Sequence, residues 1–420
     1  MEKAILVNLA IGPKEKHEAE ESMNELAGLA RAAGAWVAER IFQVRSSVSP
    51  KYFIGPGKVE ELKARVEEIN AGLVIIDHNL RPTQQRSLED ALGTKVIDRT
   101  QLILDIFAQR ARSNEGKMQV ELAQLSYLLP RLVGKGTALS RLGGGIGTRG
   151  PGEKKLEVDR RRIQDRIAKI KRDIGNVQKR RGLQRQSRRE SFVPLVSLVG
   201  YTSAGKSTLF NRLTQENTWT SPQLFATLDP LVRRAAFPDG LSYFLSDTVG
   251  FIKKLPVELV TSFKATFEEV EESDAILHVI DHSAAESAGR GEAVGAILEE
   301  IGASDIPCLK VFNKIDLLPD KAELLRRNGR PGSEGIYISA AMGEGISALK
   351  DRLRSLLFGR QQLFYMRIPK DDAAAIISLT ASTRVLQKRK NGDYYELQVM
   401  AEPQRMLAYA AYLDRGEKAR

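Results

Sequence analysis

The run Gly200-Tyr201-Thr202-Ser203-Ala204-Gly205-Lys206-Ser207-Thr208 has the spacing G-x-x-x-x-G-K-S/T, which suits a polyphosphate. Its glycines let backbone N–H groups turn inward around the phosphates. Lys206 offers a cation to the β and γ oxygens, and Ser207 offers a hydroxyl to Mg2+. Val193–Val199 before it reads as a buried strand, and LFNRL after it opens a helix, the context that the motif requires. Three later segments decide which nucleotide is held. Asp247-Thr248-Val249-Gly250 follows the strand-like LSYFLS; its carboxylate can reach the Mg2+ shell through a water, and the Gly250 N–H can sense a γ-phosphate. Asn313-Lys314-Ile315-Asp316 follows CLKVF, and an Asp carboxylate accepts two hydrogen bonds from guanine, at N1–H and the exocyclic amine. Adenine lacks that donor pair, so it would leave a carboxylate unpaired. Ser339-Ala340-Ala341, after IYI, supplies a small-residue turn beside the base. The ligands expected are GTP or GDP with Mg2+.

Other residues invite chemistry and support it less well. His278 and His282 flank Asp281 in ILHVIDHS, but the chain has four histidines and no cysteine nearby, which favours a strand end over a ligand pair. Many GTPases place Gln directly after the D-x-x-G glycine to orient the attacking water. Here that position is Phe251, which cannot hydrogen-bond to water, so no catalytic residue is assigned and slow hydrolysis by the free protein is expected. A second glycine-rich stretch, RLGGGIGTRGPGEKK from Arg141 to Lys155, contains a G-x-G-x-x-G. It has no convincing strand before it and no acidic residue at the end of a second strand about twenty residues on, as a ribose contact would require. It reads instead as a flexible small-residue tip, whose Arg141, Arg149, Lys154 and Lys155 can approach RNA closely.

The elements that must position these residues follow from pattern and composition. A chain of 420 residues exceeds one core, no apolar run is long enough to span a bilayer, and the single Cys308 suits a reducing cytosol. IPCLKVF reads as a strand entering the core, which predicts that Cys308 is packed. The expected fold is a multidomain α/β protein. Residues 1–110 alternate strand and helix as an open α/β sheet; 111–190 form a helical arm; 191–360 form a P-loop domain with a mostly parallel sheet and helices on both faces; 361–420 form a small α+β domain. In the arm, Met118, Leu122, Leu125 and Leu129, and then Ile163, Ile167, Ile170, Ile174 and Val177, repeat at four and three. Such seams predict an antiparallel two-helix arm with the glycine-rich stretch near its tip. The tail reads as strand, helix, a hairpin turning at Asn391-Gly392, and a helix QRMLAYAAYL. Net charge is +11 overall, and Pro151–Glu190 holds fifteen Lys or Arg against six Asp or Glu. A stripe so concentrated is the footprint of a nucleic-acid binder.

Pro194–Phe358 resembles a G domain of the translation-factor-related GTPase class. With Asp98–Leu125 (DRTQLILDIFAQRARSNEGKMQVELAQL) and RLGGGIGTRGPGE, the whole chain resembles the HflX family of ribosome-associated GTPases. The resemblance implies that Thr227, in the nucleotide-binding stretch Phe225-Ala226-Thr227-Leu228-Asp229, completes the Mg2+ shell with Ser207. It also implies that Phe251 is shared, so that the partner or a rearranged segment from Phe251 to Leu255 orients the water. Family members usually have Thr after G-P-G-E, where this chain has Lys154. The implied partner is the large ribosomal subunit, approached near its peptidyl-transferase centre, with splitting of stalled or idle ribosomes as the outcome. Arg160, Arg161, Arg162, Arg166, Lys169, Lys171 and Arg172 are the candidate contacts to rRNA phosphates. The protein is expected to be a cytoplasmic monomer with no membrane span, meeting the membrane only through ribosomes. Two other classes compete: an RNA-modifying enzyme gated by the G domain, which wants a C-terminal cysteine motif that is missing here, and a nucleotide-dependent scaffold that never hydrolyses GTP.

Overall fold

In a computed structural model of the chain, the described residues are 1–12, 15–132, 151–190, 193–216, 225, 231–252, 269–284, 287–330, 333–359 and 361–414. They fall into two compact units. One comprises Met1–Lys179, Ser221–Asp229 and Val249–Thr266, and the other Arg180–Thr220, Pro230–Thr248 and Phe267–Arg420.

In the first unit, β1 (Lys3–Ile11), β2 (Trp36–Arg45), β3 (Leu73–Ile76) and β4 (Lys95–Asp98) form a parallel sheet in the order β2-β1-β3-β4. Seven consecutive residues of β1 are buried, as an inner strand covered on both faces requires. Helix α1 (Lys16–Ala32) follows β1 in the chain, and Ile5, Val7 and Leu9 point to the core built with α2 (Pro56–Ile69) and α3 (Pro82–Leu92). The ends of β3 and β4 are held by a buried polar network. Asp77 accepts from Asn8 Nδ2 at 2.6 Å and from Arg99 Nη1 at 2.8 Å, and Arg99 also pairs with Glu25. Asp98 caps α4 (Arg99–Arg110) through Gln101 N at 2.8 Å and receives Arg131 Nη2 at 3.1 Å. The start of the DRTQ motif therefore joins two strand ends, one helix start and the chain beyond α5 (Asn114–Leu128).

The helical region is asymmetric. The helix α6 runs from Pro151 to Glu190, about 60 Å at 1.5 Å per residue, against fifteen residues for α5. The two seams meet at Leu122, Ile170 and Ile174, flanked by Met118, Leu125 and Ile167. Leu129 does not continue the first seam, because Pro130 turns Leu129–Arg131 into a 3-10 helix. Residues 133–150 lie outside the described residues, and Arg141 and Arg149 with them. The last part of the expected flexible tip is helical: Pro151 opens α6, where a proline loses no hydrogen bond.

In the second unit, β5 (Leu195–Gly200), β6 (Leu231–Ala236), β7 (Ser242–Asp247), β8 (Ala275–Asp281), β9 (Cys308–Asn313) and β10 (Gly335–Tyr337) form a sheet in the order β10-β9-β8-β5-β7-β6. Only the edge strand β6 runs antiparallel. The sheet carries α7 (Lys206–Thr214), α8 (Ser287–Glu300), α9 (Lys321–Arg327) and α10 (Ile346–Phe358). Cys308 departs from expectation: its side chain is exposed, and β9 buries Leu309, Val311 and Asn313 instead. A strand with this alternation turns its first residue outward.

The tail is a three-stranded antiparallel sheet, β11 (Gln362–Pro369), β13 (Tyr394–Ala401) and β12 (Arg384–Asn391) in that order, with α11 (Ala373–Ser382) between β11 and β12 in the chain. The expected last helix is shorter and kinked. Helix α12 (Pro403–Met406) passes into a 3-10 helix, Leu407–Tyr412, which breaks at Tyr409, whose hydroxyl is bonded to Ser378 and Ser382. Among the described residues, no helix is long and apolar enough to cross a membrane.

Candidate functional site

The chemistry-bearing residues of the second unit gather at the carboxyl ends of β5, β7, β8 and β9, where open α/β sheets bind ligands. Two glycines of the loop after β5 are required by close approach. A Cβ on Gly200, whose φ is +152°, would stand 2.2 Å from the Val279 carbonyl oxygen of β8. One on Gly205, with φ +94°, would stand 2.3 Å from Asn313 Nδ2. Ser203 is also left-handed at φ +62°, so the loop folds sharply enough to present its amides at the start of α7.

Lys206 is 7% exposed, and its ammonium donates to the carbonyls of Gly200 and Tyr201 at 3.0 Å each. Burial pushes its pKa down to about 8, against the opposing pull of Asp247. A buried ammonium held mainly by neutral carbonyls is suited to an incoming anion. Ser207 donates through Oγ to Asp247 Oδ2 at 2.7 Å, and Thr248 donates to the Leu198 carbonyl at 2.5 Å. Tyr201, Thr202 and Ala204 are buried, while Ser203 is exposed and Thr208 half-buried.

Asn313 connects the two halves of the site. Its amide donates to the Ala204 carbonyl at 2.8 Å and its oxygen accepts from Ala340 N at 2.9 Å, tying the phosphate loop to the Ser339–Ala341 turn. Lys314, at φ +66°, pairs with Asp281 at 2.7 Å. Ile315, fully buried, anchors the short turn that carries the half-buried Asp316. Arg212 of α7, which no motif marks, binds the carbonyls of Ala340 and Ala341 at 3.2 and 2.5 Å. The only sequence cue for it is a cation one turn beyond the loop.

Val249, Gly250 and Phe251 are buried, Phe251 to 2% exposure. Within the first unit Phe225 has φ +56° and 2% exposure, and its ring meets that of Phe107 edge-on at 4.6 Å. Ala226, Thr227, Leu228 and Asp229 lie outside the described residues. Of the candidate RNA contacts, Arg160, Arg161, Arg162, Lys169, Lys171 and Arg172 are exposed on α6. Arg166 is exposed but engaged, donating to both oxygens of Glu121 at 2.7 and 2.8 Å. Lys154 and Lys155 lie in the first turns of α6, and their side chains are outside the described residues.

Among the described residues no group of three or more His, Cys, Asp or Glu, around His278 and His282 or elsewhere, could hold a metal ion. His282 packs on Phe312 and Tyr337. His278 is buried in β8, and burial, with Lys310 and Lys206 adding to it, pushes its pKa from 6.5 down to about 4. Below 6.5 the unfolded chain binds a proton that the folded chain refuses, so stability falls as pH drops from 6.5 to about 4. This group's share is up to about 3 kcal/mol. A His278→Asn variant should lack that part of the slope in urea unfolding across the same range, and identical slopes would refute the assignment.

Comparison with known proteins follows the same division. Family models described as GTP-binding GTPase N-terminal, GTP-binding GTPase Middle Region and 50S ribosome-binding GTPase match residues 20–108, 110–188 and 195–314. The chain is 46% identical over 387 residues to the GTPase HflX of Caldanaerobacter subterraneus subsp. tengcongensis, covering 92% of this chain and 88% of that one. It is 47% identical over 352 residues to the GTPase HflX of Escherichia coli K12, covering 84% and 83%. A GTP-binding protein from the hyperthermophilic archaeon Sulfolobus solfataricus, solved with GDP, is 27% identical with a TM-score of 0.43, over 85% of this chain and 99% of that one. With identity near one half to proteins matched over 84–92% of its length, and family models matching its N-terminal, middle and phosphate-loop regions, the chain belongs to the HflX family of GTPases, enzymes that hydrolyse GTP.

Proposed function

We propose that this GTPase associates with the large ribosomal subunit under nucleotide control and separates the subunits of stalled or idle ribosomes. The observation that carries the reading is the cationic face of α6. Arg160, Arg161, Arg162, Lys169, Lys171 and Arg172 are all exposed, in a chain whose G-domain segment matches a family described as 50S ribosome-binding GTPase. Phosphate neutralisation by such a face makes binding weaken steeply with salt. Arg166 contributes less, because Glu121 already occupies its guanidinium.

At the nucleotide, the amides of Gly200–Thr208 and the Lys206 ammonium take the phosphates, and Asp316 takes the guanine edge. The Ser207 hydroxyl and Asp247 carboxylate are hard oxygen donors 2.7 Å apart, a donor set that fits Mg2+, with Thr227 as a further ligand. Bound there, Mg2+ supplies neutralisation of the phosphate charge. The Gly250 N–H reports the γ-phosphate. Phe251 has no group to orient water, so turnover by the free protein should be weak and should rise about 100-fold or more with large subunits, on the scale of a missing transition-state group supplied by a partner.

The test combines two measurements. GTP turnover is followed with and without large subunits, and sucrose-gradient sedimentation of ribosomes is run under GTP, GDP and a non-hydrolysable GTP analogue. Subunit separation under GTP or the analogue, and not under GDP, is expected. Replacing Arg160, Arg161, Arg162, Lys169, Lys171 and Arg172 with Ser should abolish co-sedimentation while GDP binding persists. Co-sedimentation unchanged in that variant, or turnover indifferent to ribosomes, would count decisively against the proposal.

A further inference from the structure

The C-terminal sheet uses its two faces differently, and one of them only in part. Leu397, Val399 and Ala401 of β13 point to the small core with Met366 and Ile368. The alternate residues of β13 point the other way, and register arranges that face in rows across β11, β13 and β12. Leu363, Met400 and the neighbouring Leu386 pack into the core of the G domain. The next row is Tyr365, Gln398 and Gln387; the next is Arg367, Glu396 and Arg389; the last is Pro369, Tyr394 and Asn391. Beyond the first row this face is open: Tyr365 is 39% and Tyr394 38% exposed, and Arg367 and Arg389 are exposed too.

Two details suit it to a ligand with flat rings and negative charge. The Arg367 guanidinium lies over the Tyr394 ring at 4.4 Å from its centroid, so a cation and a π face are already stacked on the sheet. Where the face meets the G domain, a cleft of about 300 Å3 opens. Its polar lining includes Arg234, Ser242, Gln387 and Gln398, over the apolar Leu363 and Met400. Gly240 forms its rim, where an added Cβ would come within 3.6 Å of the Tyr365 hydroxyl. On β12, Arg389 shares this face opposite Glu396, whereas Lys388 and Lys390 stand opposite Leu397 and Tyr395 on the other face.

We propose that the open rows of this sheet face, with the cleft beside them, form a binding platform for single-stranded RNA. Bases stack on Tyr365 and on the Arg367–Tyr394 pair, and phosphates lie along Arg367 and Arg389. One base enters the cleft, where the Gln398 amide can donate to and accept from its edge, while the Gln387 oxygen holds the Arg389 guanidinium. Aromatic rings and guanidinium planes on a sheet, flanked by cations, are the means by which sheet domains hold unstacked bases. An acidic peptide would use the cations and leave the two exposed tyrosine faces without a role. The assignment rests on the sheet itself and not on ribosome splitting, so the two stand or fall separately.

The test uses the full chain and a 4-thiouridine-bearing single-stranded RNA oligonucleotide of mixed sequence. Photo-crosslinks mapped by mass spectrometry are expected on the β11 and β13 peptides, and should survive the Arg-to-Ser and Lys-to-Ser changes in α6. In that α6 variant, adding Tyr365→Ala and Tyr394→Ala should lower RNA affinity at least about tenfold. Tyr365→Phe with Tyr394→Phe, which keeps both rings, should retain it and shows that the fold is intact. Crosslinks confined to α6 or to the G domain, or equal affinity with and without the tyrosine rings, would overturn the proposal. So would an alanine variant that keeps its RNA affinity and loses binding to isolated large-subunit proteins, which would give the face to protein.

Discussion

A Gly205→Ala variant should bind GDP and GTP at least about 100-fold more weakly than the natural chain while remaining folded, a loss of roughly 2.7 kcal/mol. The added methyl group would meet Asn313 Nδ2 at 2.3 Å, and the backbone there has φ +94°, where an L side chain is strained. Asn313 is 2% exposed and bonded on both sides, to Ala204 and Ala340, so its amide cannot move aside without releasing a bond. The consequence is that the phosphate loop separates from the Ser339–Ala341 turn. An Asn313→Ala variant separates steric from bonding effects. It loses the two links by itself, yet it removes the atom that the new methyl would strike. The double variant should then bind more weakly than Asn313→Ala alone only by the backbone strain at position 205, a less than additive loss that a mant-GDP fluorescence titration of the four proteins measures. Additive losses would assign the damage to that strained backbone and not to the clash with Asn313.

The same coupling explains which parts of the site are legible in a sequence and which are not. The phosphate loop, Asp247, Asn313 and the Ser339 turn are readable because backbone geometry demands those residue types at short spacing. The role of Asn313 as a bridge is not, since Ala204 and Ala340 lie 109 and 27 residues away along the chain. Arg212 is invisible for the same reason: a cation on a helix is ordinarily a solvated one, and its carbonyl partners lie more than a hundred residues off. In the N-terminal domain, period and turn signals are enough for the strands and helices. They do not disclose that Arg99 is 1% exposed and held by Asp77 and Glu25. An arginine after a strand reads as surface until its carboxylates are folded around it. Burial in that pair makes the loss of one partner costly, on the order of 3–5 kcal/mol.

Misreadings have equally local causes. GPGEKK looks like the end of a flexible loop because glycine and proline punctuate it, but Pro151 is acceptable at a helix start, and the charged residues after it are good helix formers. Cys308 looks packed because its neighbours are apolar, whereas strand alternation sends it outward. The tail is legible as elements and opaque as a surface. Rows such as Arg367, Glu396 and Arg389 exist only once three strands are in register.

Replacing Asp316 with Asn should move the base preference from guanine to xanthine, lowering GTP affinity about 1000-fold while XTP becomes the tighter ligand. Guanine presents two donors, N1–H and the exocyclic amine, and a carboxylate accepts from both. An Asn amide accepts one and sets a donor against the other, so a buried pair is lost and a like pair created; mismatches of this kind at a site built to hydrogen-bond cost several powers of ten. Xanthine carries a carbonyl oxygen in place of that amine, and accepts from the Asn amide. Lys314 takes the left-handed φ of +66° that turns the chain, and the fully buried Ile315 fixes the turn. Among the described residues the Asp316 carboxylate has no hydrogen-bond partner, so it is available to a base. Competition of mant-GDP by GTP and XTP gives the two affinities, and XTP-dependent turnover with large subunits shows whether the variant still works. A variant that favours GTP as before would remove Asp316 from the base site. One that binds neither nucleotide would mean that the turn itself had failed, and the isosteric amide leaves the contacts of Ile315 in place to prevent that.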